Sequence, residues 1–587
     1  MTLVENLPWA PGDQSEGPSV LIVTPPGALP EGARVAVAES SASSVTVDVV
    51  EGIVVVRVPA GEARRGITVT VPAADAVAIW RPGSGQERGR LAPSWADLEQ
   101  AGPFTGAWLG ALLGRCDQVL LGFGAVAGDS VIRARAGMVE ETADLVVQVF
   151  VDDPTDEIAL VLDVSKGSLT DVAARLGAAL GLRRSPVAER DENPVYCSWY
   201  AFHQDLSSDA LVAEAQHAAR LGFGTVIVDD GWQNSDVTRG YGSCGDWRVH
   251  PSKFRDGREL VSRIADAGLR TMWWVGTPFI GYRSDIYSHG DLPLLYDEPA
   301  METAILDPRS PRSRQYLVDR LTALLKDTGA DGVKIDFLER FAAPGGALPE
   351  DADIEEPSRA ALVLLDEVRS AADGELMIEF REPYLSAATI TRATMMRVAD
   401  CPLGPVQNRL GIIDMRLLTR GIAVHSDPIM WSTTDSSERV AQQLLSAIFG
   451  VPQVSVLRSG LSESHEKVLA HWLGFWREHR ELLLHAPLRA EGADRGFPLV
   501  HARRDDVAIS VRYADVAATV PDGPWRVWHL VNADEEGAIV RGGRGSFDVS
   551  VRDATGKEVE HSTGLDLTLA SIPIPAGGRA AITRSDV

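Results

Sequence analysis

Between residues 195 and 457 short apolar segments alternate with amphipathic helical stretches, and this alternation narrows the available folds more than any other property of the chain. The strand-like pieces are VYCSW (195–199), TVIVDD (225–230), RTMWWV (270–275), GVKIDF (332–337), ELMIEF (375–380), MMRVAD (395–400), PIMWST (428–433) and PQVSVL (452–457). Segments of helical period such as SSDALVAEAQHAARLG and RSRQYLVDRLTALLKDTG fall between several of them. Strands alternating with helices build parallel βα units, and eight strands over a span of this size match a (β/α)8 barrel.

The flanks read differently. Up to about residue 165 the chain is Val-rich, alternating and punctuated by turns, as in VTVDVVEGIVVVRVP, which predicts a β-sandwich. Beyond residue 488 short strands return in VAISVRY, WRVWHLVN and SFDVSV. At 587 residues the chain is too long for one core. The expected fold is α/β: an N-terminal β-sandwich-like domain over 1–188, a TIM barrel over 189–487 and a small C-terminal antiparallel β-domain over 488–587.

Composition narrows the function. Lys and Arg total 56 against 82 Asp and Glu, a formal charge of −26 that repels nucleic acid and anionic membranes. The four cysteines are scattered with no zinc-like spacing, which suits free thiols in a reducing compartment. Neither a leader-like start nor a run of about 18 apolar residues occurs, so a soluble cytoplasmic protein is expected. GFGAVAG lacks the phosphate-loop lysine, and no GxSxG elbow is present.

Barrel enzymes carry their chemistry at the C-terminal ends of the strands. Those ends, or the turns after them, hold Trp199, Asp229, Asp230, Trp273, Trp274, Lys334, Asp336, Glu382, Arg397 and Asp400, with Asp246 and Trp247 in the loop after the second strand. Lys334 and Asp336, two apart on a strand, share a face, either as a structural ion pair or as part of a site. Asp229 and Asp230 could also cap a helix. Trp273 and Trp274 are adjacent, so only one can face the axis. His425 and Asp427 read as structural, and Cys401 as a small buried hydrophobe. Carboxylates, a lysine and an arginine rimmed by Trp suit a small carbohydrate. Glycoside hydrolysis needs two carboxyl groups, for which Asp336 and Asp400 are the best placed.

DGVKIDF, with the aspartate of MMRVADCPLGP 64 positions on (400 − 336), VIVDDGWQ upstream and GDWRVHPSKF after that, resembles glycoside hydrolase family 36, the α-galactosidase clan. The three-part layout agrees, so the resemblance covers most of the chain. It implies a retaining exo-α-glycosidase, an α-galactosidase, with Asp336 as nucleophile and Asp400 as acid/base. It further implies Asp229 and Asp230 on the sugar O4 and O6, Lys334 on sugar hydroxyls, and no metal or organic cofactor; it admits a homo-oligomer. The departure is IEFREPYLS (378–386), where many members carry a Gly/Cys loop. Glu382 there and the later Arg397 resemble the glutamate and later arginine of the related family 27, which bind O2. Arg397 is expected on a sugar hydroxyl or on Glu382, and Asp400 is expected to stay partly protonated. A different glycone, transglycosylation, or a silent sugar-binding protein on the same barrel are the alternatives.

Overall fold

The computed structural model describes residues 29–38, 45–61, 65–152, 156–184, 187–343, 346–372, 374–535 and 537–585, together with the backbone of 20–23. At its centre eight short strands run parallel: β1 (Val195–Cys197), β2 (Thr225–Val228), β3 (Arg270–Gly276), β4 (Gly332–Asp336), β5 (Met377–Arg381), β6 (Met395–Arg397), β7 (Ala423–His425) and β8 (Gln453–Val454). Each is hydrogen-bonded to the next from β1 to β7, and β8 pairs with β1. Bridges from His425 to Val451 and from Ile429 to Val454 bring β7 against β8 and close the ring. The structure is a TIM barrel.

One strand differs from the sequence-based expectation. The seventh is Ala423–His425, not 428–433. Pro428 has no N–H to give to a ladder, so the chain leaves the sheet before it and returns only for the single bridge at Ile429.

The barrel interior is layered by the period of two along each strand. Val195, Ile227, Met272, Met377, Met395 and Ala423 form an apolar floor with Cys197. Two residues further along, the same faces carry Asp229, Trp274, Glu379, Arg397 and His425, all buried. Gly332 begins β4 because a Cβ there would lie 2.3 Å from the Met377 carbonyl oxygen.

The flanking domains are all-β in their sheets. The N-terminal part packs two sheets, ordered Val20–Val23, Arg34–Ala38, Arg65–Pro72, Asp144–Val151, Ile132–Val139, Glu99–Ala101 and Thr46–Val50, Ile53–Val58, Ile158–Asp163, Gln118–Val126, Trp108–Leu113, Ala78–Trp80. Alternating Val54, Val56 and Val58 show how the pattern fills their shared core. The C-terminal sheet is mixed, not antiparallel throughout as its sequence suggests: Val507–Arg512 runs parallel to Val527–Asn532, and Ala518–Thr519 parallel to Ala538–Arg552. Periodicity within a strand does not encode the direction of its neighbour, which is the reason for that error.

Both domains are bolted to the barrel. Asp414, on the helix Pro405–Leu418 after β6, accepts from Trp80 Nε1 at 3.1 Å and from the Gly83 N–H at 2.9 Å, and pairs with Arg88. On the other side Arg409 donates to the Gly496 carbonyl at 2.9 Å and the Tyr513 hydroxyl to the Leu445 carbonyl at 3.1 Å.

Candidate active site

β4 delivers Lys334 and Asp336 to the mouth of the barrel. Immediately after Asp336 the chain turns through Phe337, whose φ of 64° is left-handed and unusual for an aromatic residue. The Asp336 carboxylate accepts the Phe337 N–H at 3.0 Å and Trp274 Nε1 at 3.1 Å, and is ion-paired with Arg381, whose Nε lies 2.7 Å away. Trp274 is therefore the tryptophan that faces the axis. Trp273 points outward, donating to Thr328 Oγ1 at 3.1 Å and packing on Trp232 and Phe254.

Asp400 lies three residues beyond β6, on the turn after it, with its side chain 56% exposed against 8% for Asp336. Two guanidiniums bridge these carboxylates. Arg397 is 2.8 Å from Asp400 and 3.9 Å from Asp336; Arg381 is 2.7 Å from Asp336 and 3.6 Å from Asp400. Burial raises the pKa of Asp336, but Arg381, then Arg397 and Lys334, bring it below the ordinary range. For Asp400 the Arg397 charge is the leading cause and lowers the pKa to about 2. The expectation that Asp400 is kept partly protonated is thus overturned, because two cations hold its charged form.

Lys334 is bound to Asp229, Nζ to Oδ2 at 2.6 Å, not to its strand neighbour Asp336. Burial opposes the ammonium charge, yet Asp229 keeps its pKa above that of a free amine. Asp229 also accepts the Cys197 thiol at 3.3 Å. Asp230 turns the other way and accepts from Gln204 Nε2 at 2.7 Å and Gln233 Nε2 at 2.6 Å; burial pushes its pKa up to about 7. Trp199 remains half-buried on the short helix after β1, in edge contact with His203.

Four of the expected site residues are engaged with other protein groups. Glu382 does not reach Arg397: it accepts the backbone N–H of Ser84 at 2.7 Å and of Ala399 at 3.2 Å, tying the barrel rim to the sandwich. Arg397 is instead paired with Glu379 at 3.6 Å and Asp427 at 3.0 Å as well as Asp400. Asp246 accepts the N–H groups of Asp285 at 2.9 Å and Ile286 at 3.1 Å, anchoring the start of the helix Asp285–His289. Trp247 is fully buried behind Trp274, ring centroids 6.2 Å apart, and supports the wall instead of lining it.

Other residues complete the cluster. Arg381 is held by Glu339 at 3.0 Å and by the Tyr384 hydroxyl, which itself donates to Glu339 at 2.6 Å. Glu379 accepts from Gln453. Asp427 accepts from the Cys401 N–H at 2.8 Å and the Tyr200 hydroxyl at 3.2 Å, and burial lifts its pKa to about 7. Tyr241 stacks on Trp274. Glu379 and Arg381 follow Met377 at steps of two, so extending the strand period would have placed both inside; Asp427 and Tyr241 sit on loops and carry no such signal.

The chain resembles known proteins in part of its sequence and in its fold. The Melibiase family model matches residues 159–368, which take in Asp229, Asp230, Lys334 and Asp336 and stop before Glu382, Arg397 and Asp400. The chain is 30% identical over 154 residues to a bifunctional α-galactosidase/sucrose kinase of Mediterraneibacter gnavus, covering 25% of the chain and 16% of the relative. It is 28% identical over 201 residues to an α-galactosidase of Geobacillus stearothermophilus, covering 32% and 27%. These matches therefore span between a sixth and about a quarter of the relatives' lengths. In structure, it matches an α-galactosidase of Lactobacillus brevis with a TM-score of 0.62 at 13% identity, over 97% of this chain and 84% of the other. Among the described residues no group of His, Cys, Asp and Glu side chains is arranged to hold a metal ion, and no helix is long and apolar enough to cross a membrane.

Proposed function

We propose that the chain is a retaining exo-α-glycosidase, an α-galactosidase, that removes a terminal α-linked sugar from small oligosaccharides or glycosides. The observation that carries this reading is the pairing of Asp336 and Asp400 across two shared guanidiniums at the ends of β4, β5 and β6. Glycoside hydrolysis by double displacement asks for two carboxyl groups on either side of one bond. Asp336, ionised and fixed by the Trp274 indole and the Phe337 N–H, attacks the anomeric carbon. Asp400, on the more exposed side, gives a proton to the departing oxygen and later takes one from water.

The arginines give this chain its own version of the sequence. Arg381 and Arg397 keep both carboxylates charged, so for Asp400 to deliver a proton the hold of Arg397 on it must loosen as substrate binds. Asp229 with Lys334 and Asp230 with its two glutamines present a buried, hydrogen-bonding wall suited to ring hydroxyls. We assign the chain no cofactor.

The Arg381–Asp336 ion pair is also the observation that favours a second reading, a silent sugar-binding protein, since it covers the nucleophile. Hydrolysis of an aryl α-galactoside followed by NMR of the first sugar released separates the two. Release of the α-anomer supports the retaining enzyme. Tight sugar binding without turnover on a panel of aryl α-glycosides supports the binder, and turnover of a different glycone would move the specificity while keeping the mechanism.

A further inference from the structure

One nitrogen of Arg397 serves two carboxylates. Nη1 lies 2.8 Å from Asp400 Oδ1, 3.0 Å from Asp427 Oδ1 and 2.9 Å from the Val398 carbonyl oxygen. An amino nitrogen of a guanidinium carries two hydrogens, so these three acceptors compete, and what Asp427 gains Asp400 loses. The settings of the two carboxylates differ. Asp400 is 56% exposed at the barrel mouth, whereas Asp427 is buried at 1%.

The second oxygen of Asp427 reaches the same turn. Oδ2 accepts the N–H of Cys401, the residue after Asp400, at 2.8 Å, and the Tyr200 hydroxyl at 3.2 Å. Asn408, on the helix Pro405–Leu418, accepts the Asp427 N–H at 2.8 Å and so fixes the backbone that carries this carboxylate. Asp427 thus holds both the cation beside Asp400 and the peptide that follows it. The charged and titratable groups facing Asp427 are Arg397 on β6, Asp400 and Cys401 on the turn after it, Lys334 on β4 and Tyr200 after β1. Burial lifts the pKa of Asp427 to about 7, while Arg397 lowers that of Asp400 to about 2. Below neutrality the pair therefore carries one proton, and it rests on the buried member. Exchange conserves that proton: Asp427 gives one up, Asp400 takes one on, and the Nη1 hydrogens turn from Asp400 to Asp427.

We propose that Asp427 is a positioning residue for the acid/base, whose carboxylate draws Arg397 Nη1 away from Asp400 so that Asp400 holds a proton when the glycosidic bond breaks. This rests on the glycosidase reading above. The proton passes from Asp400 to the departing oxygen as Asp336 bonds to the anomeric carbon, and the attacking water returns one to Asp400 in the second step. Asp427 acts only through the arginine and the backbone of the turn.

α-Galactosyl fluoride and an α-galactosyl disaccharide test it on the full chain. Fluoride leaves without a proton, so its turnover reports the nucleophile without the acid, whereas the disaccharide needs both. The form that cleaves the disaccharide carries one proton on the Asp400 and Asp427 pair, so the basic limb of its kcat/KM profile follows the pair and not Asp400 by itself. Asp427→Asn leaves Asp400 alone with Arg397. The basic limb should then move by about one unit or more to lower pH, and the disaccharide-to-fluoride ratio of kcat/KM at neutral pH should fall about tenfold or more. Tyr200→Phe keeps the carboxylate but removes a donor that favours its ionised form, and should move the limb the other way, to higher pH. A limb that stays in place in both variants, or an equal fall on both substrates, overturns the role of Asp427 while leaving the glycosidase reading intact. Failure of the wild type to turn over the fluoride overturns the glycosidase reading, and this role with it.

Discussion

β4 and β5 are neighbours in the barrel and each ends in a charged residue, Asp336 on one and Arg381 on the other, but the chain leaves them differently. After Asp336 the left-handed Phe337 turns the backbone aside, and the carboxylate remains at the mouth, fixed by its neighbours on β3 and β5. After Arg381 the short turn Glu382–Tyr384 runs toward the sandwich, and Glu382 spends both oxygens on backbone N–H groups, one of them from the other domain. The β4 half of the site is thus set by the barrel alone. The β5 half depends on how the N-terminal domain is docked.

The largest effect is expected on the β4 side. Asp336→Ala should lower kcat/KM by about 10⁴-fold or more on every substrate, fluoride included, because it removes the attacking group; steady-state kinetics on both substrate types checks this. Asp400→Asn should cost about 10²–10⁴-fold on a disaccharide, the usual worth of general acid catalysis, and far less on the fluoride. A uniform loss on both would place Asp400 outside proton transfer.

Arg381→Ala sharpens the contrast between the strands. Removing the cation nearest Asp336 raises the pKa of that carboxylate, and the nucleophile must be ionised, so the acidic limb of the kcat/KM profile should move to higher pH. The profile of the fluoride reaction, which needs no proton, reads that limb without interference from Asp400. A limb that stays in place would mean that Arg381 does not govern the ionisation of Asp336. The smallest kinetic effect belongs to Glu382. Glu382→Gln should leave fluoride turnover within about threefold yet lower stability by about 1–2 kcal/mol, since a buried acceptor of two N–H groups is weakened; a large rise in KM for galactose-configured substrates would return Glu382 to the sugar.

The same contrast explains what could be read from the chain beforehand. Period-two alternation fixes which side chains enter a barrel, and Lys334, Asp336, Arg397 and Asp229 were legible for that reason, as was the barrel itself from eight alternating segments. Glu382 follows the last strand residue, where no period applies, and its direction is decided by Ser84, almost 300 residues away in sequence. Asp246 and Trp247 stand on a loop whose packing is equally nonlocal. Pairing of Lys334 with Asp229 instead of Asp336 could not be foreseen either, because the period of two puts Lys334 and Asp336 on one face and says nothing of the carboxylate that another strand presents.

The central claim is that Asp336 attacks a galactosyl carbon in a site it shares with Asp400. Incubation of the full chain with a galactose-configured cyclophellitol epoxide, followed by intact mass and peptide mapping, tests it directly. The account predicts one covalent addition, located on Asp336, absent from Asp336→Ala and prevented by excess galactose. A label on any other carboxylate, or full galactosidase turnover in a protein that takes up no label, would contradict it.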